Sequence, residues 1–86
     1  MRVVASERFK RAYRKLPEQV RESIDRKLLL LEQNPGDPSL RVRKVAGAVG
    51  IWEASITMRY RMTFEMHRDR IVLRVIGEHD EALRQP

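Results

Sequence analysis

The sequence predicts an α+β fold of order β-α-α-β-β-β-β, two N-terminal helices packed on one face of a twisted, mostly antiparallel sheet. Three observations predict it. Met1–Ala5 is a short apolar run, β-branched at Val3 and Val4, as strands favour. Two stretches with helical spacing follow, divided at Leu16-Pro17 and closed by Asn34-Pro35-Gly36-Asp37-Pro38. From Leu40 onward apolar residues recur mainly at every second position, with glycines and polar turns between the runs, which is the period of half-buried strands.

Composition sets the frame for these elements. The 86 residues suit one domain, residues 1–86. A chain of this length buries about 60–65% of its unfolded surface, so its stability is modest. The hydrophobic fraction of 42% suffices for a core and argues against wholesale disorder. Cysteine is absent, which removes disulfide frameworks and thiolate metal sites and fits a reducing cytoplasm. No apolar run approaches the ~18 residues of a membrane span, and no signal-peptide core opens the chain. The net charge of +6 and the pI near 10.5 point to a polyanionic partner: RNA, DNA or an acidic protein segment.

The first strand, Met1–Ala5, is expected to pair inside the sheet. Ser6 is a good N-cap, with Glu7 in the first turn. Phe9, Ala12, Tyr13 and Leu16 then share one helical face, and Pro17 ends that helix and opens the next. The second helix is expected over Pro17–Gln33. Val20, Ile24, Leu28 and Leu31 form its buried stripe, widened by Leu29 and Leu30, so it should be the better buried of the two.

Leu40–Val45 alternates apolar and basic residues, predicting a half-buried strand whose cationic face carries Arg41 and Arg43; Lys44 breaks the alternation. Ala46–Gly50 is a tight connection. The next strand, Ile51–Thr57, puts Trp52, Ala54 and Ile56 on one face and Glu53, Ser55 and Thr57 on the other. After a turn near Met58-Arg59, Tyr60, Met62, Phe64 and Met66 oppose Arg59, Arg61, Thr63 and Glu65. His67-Arg68-Asp69 makes a hairpin turn. Ile71–Ile76 is apolar on both faces except at Arg74, as an interior strand would be. Gly77 is expected to end it, leaving Glu78–Pro86 as a polar tail.

The helices then cover one sheet face. The other, left partly open, carries Arg41, Arg43, Glu53, Ser55, Arg61 and Arg74. A face this polar is solvated or binds something. Arginine presents forked, permanently charged donors to phosphate oxygens, and several on adjacent strands would hold a nucleic-acid backbone by charge. Glu53 and His79 are the groups here that can transfer protons. Cleavage of RNA by its own 2′-hydroxyl needs a base, an acid for the leaving 5′-oxygen and a cation for the phosphorane charge, without a metal or cofactor. Glu53, His79 and Arg61 have the types for those roles. Read singly, a strand Glu beside Arg is as readily an ion pair, and a His near the C-terminus an exposed side chain. No metal-site spacing, phosphate loop, nucleophile elbow or nucleotide fingerprint is present. Trp52, Tyr13 and Tyr60 are spaced as core residues and not as base-stacking platforms.

Five segments, in order, resemble the RelE/ParE superfamily of toxins from type II toxin–antitoxin systems: Phe9–Pro17 (FKRAYRKLP), Leu29–Pro35 (LLLEQNP), Lys44–Glu53 (KVAGAVGIWE), Arg59–Phe64 (RYRMTF) and Ile76–Asp80 (IGEHD). The resemblance covers nearly the whole chain and is nearest to the RelE/YafQ-like mRNA interferases. It implies a toxin neutralised by an acidic antitoxin in a hetero-oligomeric complex, and a metal-independent endoribonuclease acting on mRNA at the ribosome in the cytoplasm. On it, Arg61 matches the arginine that contacts the scissile phosphate, His79 a catalytic position after the glycine, and Glu53 an acidic catalytic position. Arg41, Arg43 and Lys44 match a basic strand and loop that hold RNA, and Arg59, Arg74 and Ser55 are expected to bind RNA with them. The chain departs from YafQ-like members at Ser55 and Arg59, where they carry a second His and an Asp, and its tail lacks their stacking aromatic. A ParE-type inhibitor of DNA gyrase and a catalytically degenerate antitoxin-binding module share the fold and stand as alternatives.

Overall fold

A computed structural model describes residues 1–86. Strand β1 (Arg2–Ala5) leads into helix α1 (Glu7–Arg14), then α2 (Glu18–Gln33). A single 3-10 turn over Pro38–Leu40 precedes β2 (Arg43–Lys44), β3 (Ile51–Ser55), β4 (Tyr60–Met66), β5 (Arg70–Glu78) and a last helix, α3 (His79–Arg84). The five strands form one sheet of order β1-β5-β4-β3-β2. Only β1–β5 is parallel; the other three pairings are antiparallel.

Ser6 links β1 to α1. Its hydroxyl accepts from the Phe9 N–H at 3.1 Å and donates to the Arg74 carbonyl of β5 at 3.1 Å. One side chain thereby caps the helix and ties it to the sheet. Pro17 caps α2, and Ile24 and Leu31 of its stripe are fully buried. They meet Phe9 of α1 and the inward residues of three strands: Ala54, Met62, Phe64, Ile71, Leu73 and Ile76. The expected alternation of β3 and β4 therefore holds.

Several expectations need correcting. β1 lies at the sheet edge rather than inside it, because β5 already has β4 on its other side. Leu29 points outward, 59% exposed; four consecutive leucines cannot share one helical face at 100° per residue. The strand expected over Leu40–Val45 shrinks to Arg43–Lys44. Asp37 caps a 3-10 turn there, Leu40 is fully buried, and Arg41 takes a left-handed backbone (φ 50°, ψ 47°), so Arg41 does not share a strand face with Arg43. β3 ends at Ser55, and β5 runs through Gly77 to Glu78.

The tail is not free. His79–Arg84 is helical, with Ala82 fully buried. The helix lies on the side of the sheet away from α1 and α2, where Gly77 faces Glu81 and the Ala82 backbone. Beyond it, the Pro86 carbonyl accepts from Thr63 Oγ1 at 3.0 Å and Arg74 Nε at 2.9 Å. The face expected to be open is therefore roofed over β4 and β5. Arg74 sits there because β5 bulges: Thr63 pairs with Val75 and Phe64 with Leu73, leaving Arg74 without an opposite residue.

Candidate functional site

The site starts at the β3–β4 connection. Thr57 Oγ1 accepts from the N–H groups of Arg59 and Tyr60, each at 3.2 Å, the local bond by which threonine makes a turn. Arg61 completes it, its Nη1 donating to the carbonyls of Thr57, Met58 and Tyr60. Only Nη1 is so used, and a guanidinium has five N–H groups. The remaining donors of Arg61 are free while its position is fixed.

Beside this turn lies a cleft of about 240 Å³. Its lining holds three cations, Lys27, Arg41 and Arg61, and three hydroxyls, Ser39, Ser55 and Thr57, with no carboxylate. They come from four parts of the fold: α2, the 3-10 turn with its cap, the end of β3, and β4. Lys27 projects from α2 and donates to the Ser39 carbonyl at 3.4 Å. Ser39 is fixed by Asp37, whose carboxylate accepts from its hydroxyl at 2.7 Å and its N–H at 2.9 Å. The hydroxyl bond foremost holds the Asp37 carboxyl below its usual range. Buried Leu40 anchors the next residue, and the left-handed backbone at Arg41 brings that side chain to the cleft. Ser55 stands opposite Arg61 in the β3–β4 ladder.

His79 is joined to the same turn. It heads α3, and its backbone N–H donates to the Arg59 carbonyl at 3.0 Å. Its Nδ1 lies 3.1 Å from Asp80 Oδ1, and the side chain is 46% exposed. Nε2 has no protein partner. The structure thus brings Arg61 and His79 to one turn.

Glu53 is placed differently. By the ladder, Glu53 opposes Thr63 next to the Ser55–Arg61 pair, so it is a diagonal neighbour of Arg61 on one face, about 7–8 Å away between backbones. Its side chain is only 6% exposed and accepts from Arg43 Nε at 3.0 Å. Arg43 is 68% exposed, so its other donors face solvent. The remaining basic residues disperse. Lys44 sits over the Trp52 ring at 5.6 Å. Arg59 chelates Glu78 through Nε at 2.8 Å and Nη2 at 2.5 Å, and that bond raises its already high pKa. Arg74 bonds Glu65 and the Pro86 carbonyl. Arg59 and Arg74 therefore have their charge largely answered within the chain.

Lys27, Ser39 and Thr57 are cleft residues that sequence reasoning missed. Lys27 is one of many helix cations; only the docking of the 3-10 turn on α2 distinguishes it. Thr57 carried a signal, a threonine two residues before Arg59 at a strand end. No three His, Asp or Glu side chains converge into a metal-holding set. Chemically, the arrangement can grip phosphate oxygens with forked donors and hydroxyls, and His79 joins its turn through the backbone bond to Arg59.

No family model matches the sequence, and no curated protein does. Solved structures do match. YafQ from E. coli superposes with a TM-score of 0.78 at 11% identity, over 94% of this chain and 97% of that one. The YoeB/ParE toxin from Agrobacterium tumefaciens gives 0.76 at 16%, over 92% and 99%. A chain of the archaeal RelE–RelB complex from Pyrococcus horikoshii gives 0.75 at 19%, over 94% and 97%. The shared order of elements and near-complete coverage in both directions show that this chain has the fold of these proteins.

Proposed function

We propose that the protein is the toxin of a type II toxin–antitoxin pair and an endoribonuclease that cleaves mRNA at the ribosome. The observation that carries this reading is the cleft: three cations and three hydroxyls around Arg61, free of carboxylates, with His79 bonded to the same turn. A phosphodiester seated there would meet Arg61 at the charge that builds on the phosphorane, where fixed donors help most. Asp80 holds the His79 ring through Nδ1, so Nε2 is the atom that gives a proton to the leaving 5′-oxygen. Glu53 takes the 2′-hydroxyl proton once an RNA phosphate draws Arg43 away from it. Attack of the 2′-oxygen on phosphorus breaks the P–O5′ bond and leaves a 2′,3′-cyclic phosphate. Arg41, Arg43 and Lys44 hold flanking phosphates, while Ser55 stays at the cleft wall. Arg59 and Arg74, tied to Glu78 and Glu65, contribute mainly to the surrounding field.

The partner in this reading is an acidic antitoxin. RelE–RelB from Pyrococcus horikoshii and DinJ–YafQ from E. coli are toxin–antitoxin complexes on this fold, and a chain of net charge +6 attracts an acidic segment.

The test is primer extension on a reporter mRNA after a short pulse of expression, comparing wild type with His79→Ala and Arg61→Ala. In-frame cuts that vanish in both variants support the reading. Growth arrest without cuts, accompanied by filamentation, replaces it with gyrase inhibition. Neither cuts nor arrest leaves an antitoxin-binding module.

A further inference from the structure

The largest concavity on the molecule is not the Arg61 cleft. It is an open groove of about 560 Å³ at the other end of β3, beside Trp52, Lys44 and the Val45–Gly50 loop. Trp52 is the sole tryptophan. It packs partly against the core, and the Lys44 ammonium sits over its ring. Val49 is fully exposed at the groove wall, and no carboxylate lines it. The N–H groups of Gly47, Val49 and Gly50 donate to no carbonyl within the chain, so the loop offers unspent donors next to an aromatic face.

We propose that this groove takes an unpaired nucleobase of a single-stranded RNA, with Lys44 leaving the indole for the adjoining phosphate. The parts match that ligand. An aromatic platform with a neighbouring cation is how proteins hold single strands without reading sequence. Free backbone donors suit the carbonyl and ring-nitrogen edges of a base, which the apolar side chain of a peptide anchor lacks. The ammonium keeps the ring covered until a phosphate offers the stronger charge contact. Trp52 lies three residues from Ser55, about 10 Å along the strand, within reach of a few nucleotides from the Arg61 cleft. Because β2 is a two-residue edge strand, the RNA can round it along Arg41, Arg43 and Lys44. The inference takes its ligand from the RNA-cleaving reading and supplies that reading with a base-holding subsite.

The single tryptophan makes the test direct. A 2′-O-methyl oligoadenylate, which cannot be cleaved, is titrated into the full-length protein while Trp52 emission is followed. Inorganic polyphosphate and polyglutamate serve as charge controls. Quenching by the oligonucleotide well beyond that by either control supports the proposal. Trp52→Leu should weaken binding of the oligonucleotide about tenfold, while Trp52→Phe retains most of it. Lys44→Ala, which leaves the core alone, should keep the quenching and lower the salt slope of binding by about one. Unchanged emission on binding, or equal quenching by polyglutamate, overturns it. The outcomes separate from those of the primer-extension test: quenching without cleavage leaves the subsite and defeats the nuclease, and cleavage without quenching does the reverse.

Discussion

Arg41 is the only non-glycine residue with a left-handed backbone, a conformation that costs an L-residue about 1–2 kcal/mol. The structure pays that cost where the guanidinium enters the cleft. Arg41→Gly should therefore leave the thermal midpoint equal or higher while weakening affinity for a short RNA, a pair of shifts read by melting and by titration. A plain loop arginine would show no such opposition. Glu53→Gln separates structure from chemistry in another way. It keeps the shape and an acceptor for Arg43 but removes the proposed base, so on the nuclease reading single-turnover cleavage should fall at least tenfold with RNA affinity undiminished. Glu65 makes a pH prediction. Its carboxyl is held below the usual glutamate range by the hydrogen bond from His67 first and from Arg74 next. A depressed folded pKa stabilises the fold above the unfolded value and loses that contribution as pH falls through the folded one. The wild-type melting temperature should thus drop on acidification below about pH 4, and Glu65→Gln should flatten that part of the curve.

At the scale of elements, two junctions decide the site. Ser6 both caps α1 and bonds β5, so Ser6→Ala should lower stability by about 1 kcal/mol or somewhat more in a urea melt. The second junction is the C-terminal roof. Thr63, fully buried, donates to the Pro86 carbonyl, and Thr63→Val removes that bond at a cost of about 1 kcal/mol. Because His79 heads α3, loosening the roof should also speed hydrogen exchange at the His79 amide. Six residues make too short a helix to form alone. Glu78–Pro86 accordingly reads as a polar tail, and what makes it helical is Ala82 packed over Gly77, a contact absent from any local pattern. The same reasoning explains β2: alternation from Leu40 to Val45 looks like a strand, but the cap at Asp37 and burial of Leu40 win locally.

For the whole molecule, charge is the governing term. If the three cleft cations and Lys44 each engage one phosphate, log affinity for a single-stranded oligonucleotide should fall against log salt with a slope of about −3. Titration at several salt concentrations checks this, and a slope near zero would remove the polyanion from the account. Charge alone does not choose between nuclease and gyrase inhibitor, since both act beside nucleic acid; the placement of Arg61 and His79 on one turn is what favours the nuclease.

The sequence by itself determined the α+β class, the αα-hairpin around Pro17, the inward faces of β3 and β4, and the basic character of the surface. These follow from periods of 3.6 and 2 and from residue counts, which are local or additive properties. It also singled out Arg61 and His79, through segments resembling a toxin family. Only the tertiary structure decided that Lys27, Arg41 and Arg61 meet in one cleft, that Glu53 is buried against Arg43, that Arg59 and Arg74 are spent on Glu78 and Glu65, and that the tail folds back as a helix. Each of these depends on contacts between residues far apart in the chain, formed when the 3-10 turn docks on α2 and the C-terminus crosses the sheet. No periodicity in the sequence encodes such meetings, because burial and pairing of charges are set by the packing of elements rather than by their own propensities.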